Sequence, residues 1–417
     1  MVGRWRGTLN GASVAGDRMR IAFFTPLSPL RTAVADHSEG LLPHLATLAD
    51  VDLFIDEGYT PASTRIKKDF NVYTSRAFDA RSGDYDVALY AMGQNADIHG
   101  YIYDVLQRVP GVIILHDTTL HRMLINLTSR RGRIDVYLDA MQQAYGKTDI
   151  RIAQQVLSGY GEHYVQRYPL IEPVVNPSLG VIVHNDFARR QVLRVCPQAR
   201  VFTINQHFFV PAGSDDGPSL PDLRARWGLR DRFVLGTCGI FVSHKRIDIC
   251  LRAFRRLRQR YPDAVYLFVG GYPKDFDLPG LIERLGLAGD VRITGWLGPA
   301  EFTQHMRLLD VAIHLRYPHI GGTPYTPIRL MGLGVPTILS DIEPLAELPE
   351  GACVKIPVDP YEEDTLLRIL TALRAGDELQ AELGRNGQRW ISGRHDPVSI
   401  ASRYVSVLRQ VVEGLGV

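Results

Sequence analysis

Three short stretches of this chain carry side chains able to do polar chemistry at the ends of apolar runs. His116 and Asp117 close the run GVIILHD at 111–117, and His184 closes GVIVHN at 180–185. An imidazole at the carboxyl end of a buried strand can accept from or donate to a sugar hydroxyl or a phosphate. His184 remains open to two readings, a structural histidine or a ligand contact. Further on, Gly239 ends the run FVLGTCG and Lys245 and Arg246 follow just before an amphipathic stretch. A lysine there sits beside free backbone N–H groups and the positive end of a helix dipole, so Lys245 would complete a diphosphate site. The third stretch holds Gly321, Gly322, Thr323, Pro324, Tyr325 and Thr326 after the run VAIHLR. Consecutive small residues let backbone N–H groups approach phosphate oxygens closely.

Other chemistries lose their support. Asp215 and Asp216 fall in a turn-like stretch, and a metal-held diphosphate is not suggested. The patterns G-x-S-x-G, Walker A and G-x-G-x-x-G are absent, which weakens hydrolase, P-loop and dehydrogenase readings.

The elements that must position these residues follow from the apolar pattern. From Arg20 the chain alternates buried runs with helix-length segments: RIAFF at 20–24, VDLFI at 51–55, VALYAM at 87–92, then the two histidine runs and RVFTI at 200–204. Such runs predict parallel strands buried on both faces. A second series covers 233–239, 264–271, 292–296, 311–316, 336–341 and 353–357. Between its first two runs Ile247, Leu251, Phe254 and Leu257 recur at helical spacing. With 417 residues, two domains are expected. Residues 1–18 read as a flexible leader with Met19 an alternative start, and 19–210 as a first Rossmann-like domain with a helical insertion at 122–178. A linker at 211–221 leads to a second Rossmann-like domain at 222–395, and residues 396–417 form a helix recrossing to the first. The fold class is α/β, two doubly wound domains facing across a cleft, with the ligand outside the carboxyl ends of the strands.

Composition narrows the partners. A formal net charge of +2 is too small for the footprint of a nucleic-acid binder. Cys196, Cys238, Cys250 and Cys353 lie far apart in neither a zinc nor a disulfide pattern, which fits a reducing cytosol. No apolar run approaches the ~20 residues of a membrane span. A cytoplasmic protein is expected, and contact with the inner face of a membrane is compatible with it.

In order and spacing, TPLSPLRTAVADHSEGLLPHL, PGVIILHDTTLH, LGVIVHNDFARRQV, GTCGIFVSHKRID, RITGW and RYPHIGGTPYTPIRLMGLGVPTILSD resemble the retaining, GT-B-fold nucleotide-sugar glycosyltransferases of glycosyltransferase family 4. The resemblance implies that His116 lies near the transferred sugar and that Lys245 binds the donor diphosphate. It implies that the loop 321–326 cradles phosphate and sugar, and that Gly295 and Trp296 lie near the nucleotide base. Arg246 and Gly239 join the donor side; Thr32, Ala33, Asp117 and His184 join the acceptor side. The family's usual pair of glutamates, eight positions apart, is replaced here by Gly321 and Arg329, and the arginine that often precedes the lysine by five residues by Ile240. In the family the first glutamate commonly contacts the donor sugar and the second the ribose.

The implied activity is metal-independent transfer of a sugar, with retention, from a nucleoside diphosphate sugar to a glycan, lipid-linked or small-molecule acceptor, with no cofactor. The alternatives are a non-catalytic sugar-nucleotide-binding relative and a metal-free epimerase or phosphorylase on the same fold, no lysine being marked for pyridoxal phosphate.

Overall fold

The structure, a computed structural model, describes residues 18–146, 150–159 and 164–414. The expected leader, apart from Arg18, and Tyr160 of the helical segment lie outside the described residues. The chain divides into two compact units. One holds residues up to His207 with Ile320–Thr323 and Pro397–Val417; the other holds Phe208–His319 and Pro324–Asp396.

The first unit is built on seven parallel strands: β1 (Arg20–Phe24), β2 (Asp50–Ile55), β3 (Val72–Thr74), β4 (Val87–Met92), β5 (Val112–Leu115), β6 (Gly180–Val183) and β7 (Val201–Thr203). Their order is β3-β2-β1-β4-β5-β6-β7, which reverses direction between β1 and β4. The second unit has six parallel strands: β8 (Phe233–Cys238), β9 (Ala264–Val269), β10 (Val291–Ile293), β11 (Val311–His314), β12 (Thr337–Ser340) and β13 (Val354–Ile356). Their order is β10-β9-β8-β11-β12-β13, with the reversal between β8 and β11. Each sheet is a doubly wound Rossmann-like sheet, and such sheets bind ligands beyond the strand ends at the reversal.

The central strands are apolar throughout because both faces are covered. Every residue of β4, β8 and β9 is buried. Over β8 and β9 lies the helix Ile247–Arg260, whose Ile247, Leu251, Phe254 and Leu257 all enter the core. In the first unit the terminal helix Pro397–Glu413 packs on the helix Ala33–Leu45, and its Ile400, Tyr404, Leu408 and Val411 share one apolar core with Leu41, Leu42 and Leu45 and with Ile21 and Phe23 of β1. Burying each such side chain contributes roughly 1.5 to 3 kcal/mol, so this helix is held by its apolar stripe.

Several elements differ from the pattern read in the sequence. β3 went unread because VYT is three residues long and only partly buried, giving neither a run nor an alternation. The division between units falls at His207, and Ser219 caps a helix Leu220–Arg226 that begins inside the stretch read as linker and runs past its end. Residues 122–178 hold helices at His121–Arg130, Ile134–Tyr145, Ile150–Leu157, Tyr164–Arg167 and Glu172–Val175. The segment Ile320–Thr323 groups with the first unit, away from its chain neighbours, for reasons given below.

Candidate functional site

In the second unit, polar groups converge where β8 and β11 end. Lys245 lies in a short 3-10 turn (Ser243–Lys245) before the helix Ile247–Arg260 and is only 5% exposed. Its Nζ donates to Cys238 O at 3.0 Å and lies over Gly239, and Thr326 Oγ1 reaches the same glycine. β11 runs beside β8 with Val311 opposite Leu235 and Ala312 opposite Gly236. Thr237 Oγ1 donates to Ile313 O at 3.0 Å, and Tyr317 N donates to His244 O at 2.8 Å, so the two chains stay together past the strand ends. Arg316 follows directly from the end of β11 and acts on the Lys245 amine. Arg316 N is fixed by Ser340 Oγ at 2.9 Å.

This gathers Lys245, Arg316, His244 and His314. Burial, and then the Arg316 charge, push the Lys245 amine down to about 7 against a weak opposing pull from Cys238. Burial holds His314 well below the ordinary histidine range, reinforced by Lys245, Arg316 and His244. Each of these neighbours opposes a proton on His314. Like charges crowded at low dielectric are costly unless an anion joins them.

In the first unit, four buried histidines meet beyond the ends of β1, β5, β6 and β7. His37 comes from the helix Ala33–Leu45, which Thr32 caps by accepting from Val34 N. Its ring lies 5.0 Å from His116, 5.2 Å from His184 and 4.6 Å from His207, centroid to centroid. His184 Nδ1 is 2.9 Å from Ile204 O, and its Nε2 is 3.2 Å from His116 Nδ1. His116 is 8% exposed, and burial followed by His184, His99 and His207 keeps it well below its ordinary pKa. The same holds for His37, with burial first and then His207, His116 and His184. Asp117 Oδ2 accepts from Gln94 N at 3.0 Å.

Over these groups lies Ile320–Thr323. Thr118 N donates to Ile320 O at 3.0 Å, Asn185 Nδ2 to Thr323 Oγ1 at 2.8 Å and to Gly321 O at 3.3 Å, and Gln206 Nε2 to Thr323 O at 2.8 Å. Gly321 has φ +83°, and a Cβ there would overlap Thr118 Oγ1. A Cβ on Gly322 would overlap His116 O. Only glycines allow the loop this close.

Residues 221–390 match the family described as glycosyl transferases group 1. The fold is that of the GT-B glycosyltransferases. Over 192 residues the chain is 28% identical to the GDP-mannose-dependent alpha-(1-6)-phosphatidylinositol monomannoside mannosyltransferase of Mycolicibacterium smegmatis, covering 43% of this chain and 50% of that protein. It is 24% identical to the alpha-D-kanosaminyltransferase of Streptomyces kanamyceticus, covering 46% and 49%. The chain thus spans about half the length of the curated relatives it matches. Among solved structures, Anabaena HepE in complex with UDP superposes with a TM-score of 0.64 at 17% identity, over 94% of this chain and 100% of that one. At that identity the likeness is one of fold.

Within the glycosyltransferase-like second unit, the donor-side residues read from the sequence separate. Lys245, Gly239 and Thr326 are together. Arg246 sits at left-handed φ +54° with its guanidinium bound to Glu362, Nε to Oε2 at 2.9 Å, so a carboxylate already engages the group expected to serve the donor. Trp296, 40% exposed, packs its indole on the backbone of Gly271, and Gly295 is bridged to Gly270. Tyr325 carries the Arg329 guanidinium 6.0 Å from its ring centroid. Arg329 is 4% exposed, donates to Thr303 Oγ1 at 2.8 Å and lies 5.0 Å from the Phe302 ring, so it ties two helices together here. Gly321, Gly322 and Thr323 belong with His116, Asp117 and His184 in the first unit, while Pro324 onward belongs to the second. Thr32 serves as a helix cap and Ala33 as the first helical residue.

His37, His207, His314 and Arg316 were missed. His37 sits mid-helix and His207 just past β7, where only three-dimensional proximity marks them. His314 and Arg316 had a legible signal, since they close VAIHLR at the strand beside Lys245's.

Proposed function

We propose that the chain transfers a sugar from a nucleoside diphosphate sugar to an acceptor hydroxyl, with retention and without a metal. The observation that carries the reading is the pair of cationic side chains Lys245 and Arg316, with His244 and His314 beside them, at the reversal between β8 and β11. That group wants a multiply charged anion, and the diphosphate of a sugar nucleotide supplies one. The match of residues 221–390 to group 1 glycosyl transferases supports it, as do relatives named for GDP-mannose and kanosaminyl transfer and a structural neighbour solved with UDP.

The acceptor oxygen bonds to the anomeric carbon as the bond from that carbon to the phosphate oxygen breaks. Attack and departure share one face, and the acceptor proton passes to the departing phosphate oxygen. Lys245 and Arg316 stabilise the charge that grows on the diphosphate. His116 orients a hydroxyl of the ligand. Among the described residues no group of three or more His, Cys, Asp or Glu is placed to hold a metal ion. Metal independence is therefore part of the proposal. Among the described residues no helix is long and apolar enough to cross a membrane, and the four cysteines are free and buried. A cytoplasmic site of action, with a glycan, lipid-linked or small-molecule acceptor, fits these features.

The test is a panel of UDP-, GDP- and dTDP-sugars incubated with the protein in EDTA, reading donor cleavage and product anomer by NMR. Cleavage of at least one donor with a retained anomer is expected. No cleavage of any donor, a strict metal requirement or an inverted product would contradict the proposal.

A further inference from the structure

The hydrogen-bond partners of His184 and His116 determine which ring nitrogen of His116 carries its proton. A backbone carbonyl can only accept, so the 2.9 Å contact from His184 Nδ1 to Ile204 O requires the hydrogen on His184 Nδ1. A neutral His184 ring then has a bare Nε2. That nitrogen lies 3.2 Å from His116 Nδ1, and a hydrogen bond between them needs the hydrogen on His116. His116 is thereby left with a lone pair on Nε2, a buried atom with no hydrogen-bond partner. Burial, followed by the neighbouring rings of His184, His99 and His207, opposes a second proton on this ring, beside which the His37 ring also lies.

We infer that His184 is a positioning residue that locks His116 as the Nδ1–H tautomer, so that His116 Nε2 accepts a hydrogen bond from a ligand hydroxyl and cannot serve a phosphate. The inference deepens the proposed sugar transfer and rests on it for the identity of the hydroxyl. A phosphate oxygen brings lone pairs to a lone pair and is repelled, whereas a sugar O–H finds an acceptor that is already aimed. His184 thus sets the chemical class that His116 can recognise without touching the ligand itself. The histidine chain ends on the rigid carbonyl after β7, so the ring orientation is fixed along with the tautomer.

The experiment is nitrogen NMR on the full chain labelled with 15N-histidine at pH 7.5, with His116 assigned by loss of its signals in His116→Gln. A protonated Nδ1 and a bare Nε2 on His116 are expected; a protonated Nε2 or an imidazolium would overturn the inference. His184→Phe removes the acceptor and should release His116 to the other tautomer or to exchange between the two. His184→Gln offers an amide N–H for Ile204 O and an oxygen for His116, and should restore the Nδ1–H form. Identical His116 spectra in the Phe and Gln variants would overturn it. Should both variants misfold, the wild-type spectrum still decides. Adding inorganic pyrophosphate to the wild type should leave His116 Nε2 bare, and its protonation would count against the inference. Because the tautomer is read without any donor, its failure is distinguishable from failure of the transfer assay.

Discussion

Lys245 and Arg316 define the chemistry at the scale of single residues. Lys245 was legible because a glycine turn between a strand and a helix is a local pattern. Arg316 carried a weaker signal at the end of VAIHLR, because its place near Lys245 depends on β11 lying beside β8. Arg316→Ala is expected to weaken nucleoside diphosphate binding roughly tenfold to a hundredfold, the range for losing a charge-assisted hydrogen bond of about 1.5 to 3 kcal/mol. The loss is read by calorimetric titration with UDP and GDP. Binding should also depend on pH. The free Lys245 amine is poised at about 7, and a phosphate partner favours its charged form. Binding therefore takes up a proton above that pH, and affinity should fall between pH 7 and 9, approaching tenfold per unit. Affinity that rises over this interval would remove Lys245 from the site.

At the scale of elements, the loop Ile320–Thr323 and the helix Pro397–Glu413 carry the account. The sequence marked 321–326 as one phosphate-cradling loop. The structure divides it, because the side chains of Asn185 and Gln206 and the backbone of Thr118 hold 320–323, and none of these bonds is visible in local sequence. Gly321→Glu would introduce the carboxylate that the sequence resemblance leads one to expect at this position. Its Cβ would collide with Thr118 at a positive φ, so the variant should lose roughly 1 to 3 kcal/mol of stability and transfer sugar more slowly than the parent. A faster variant would contradict this placement. The terminal helix was legible from Ile400, Tyr404, Leu408 and Val411, since a single apolar stripe suffices to predict it. Leu408→Ala removes a fully buried side chain of that stripe and should cost about 2 to 5 kcal/mol, read as a lower midpoint in urea.

For the whole molecule, both sheets were legible as runs of buried strands, whereas the histidine cluster was not, because four elements distant in sequence supply it. That cluster ties stability to pH. His37 and His116 are held well below 6.5 and His99, chiefly by burial, at about 4. Below pH 6.5 the unfolded chain binds protons at these positions that the native state does not, so stability is fully present above 6.5. It is lost as pH falls toward the native values, at up to about 1.4 kcal/mol per unit for each such histidine. The melting temperature should drop clearly between pH 7.5 and pH 5.5, and an unchanged value would count against neutral, buried rings. The central claim is that the cations at the reversal between β8 and β11 hold a donor diphosphate. It is tested most directly by calorimetric titration of UDP and GDP, in EDTA at pH 7, into the wild type and Lys245→Ala, with the fold of each checked by circular dichroism. Saturable binding of at least one of the two to the wild type, weakened tenfold or more in the variant, is the predicted result. No binding of either, or equal affinity in a folded Lys245→Ala, would contradict it.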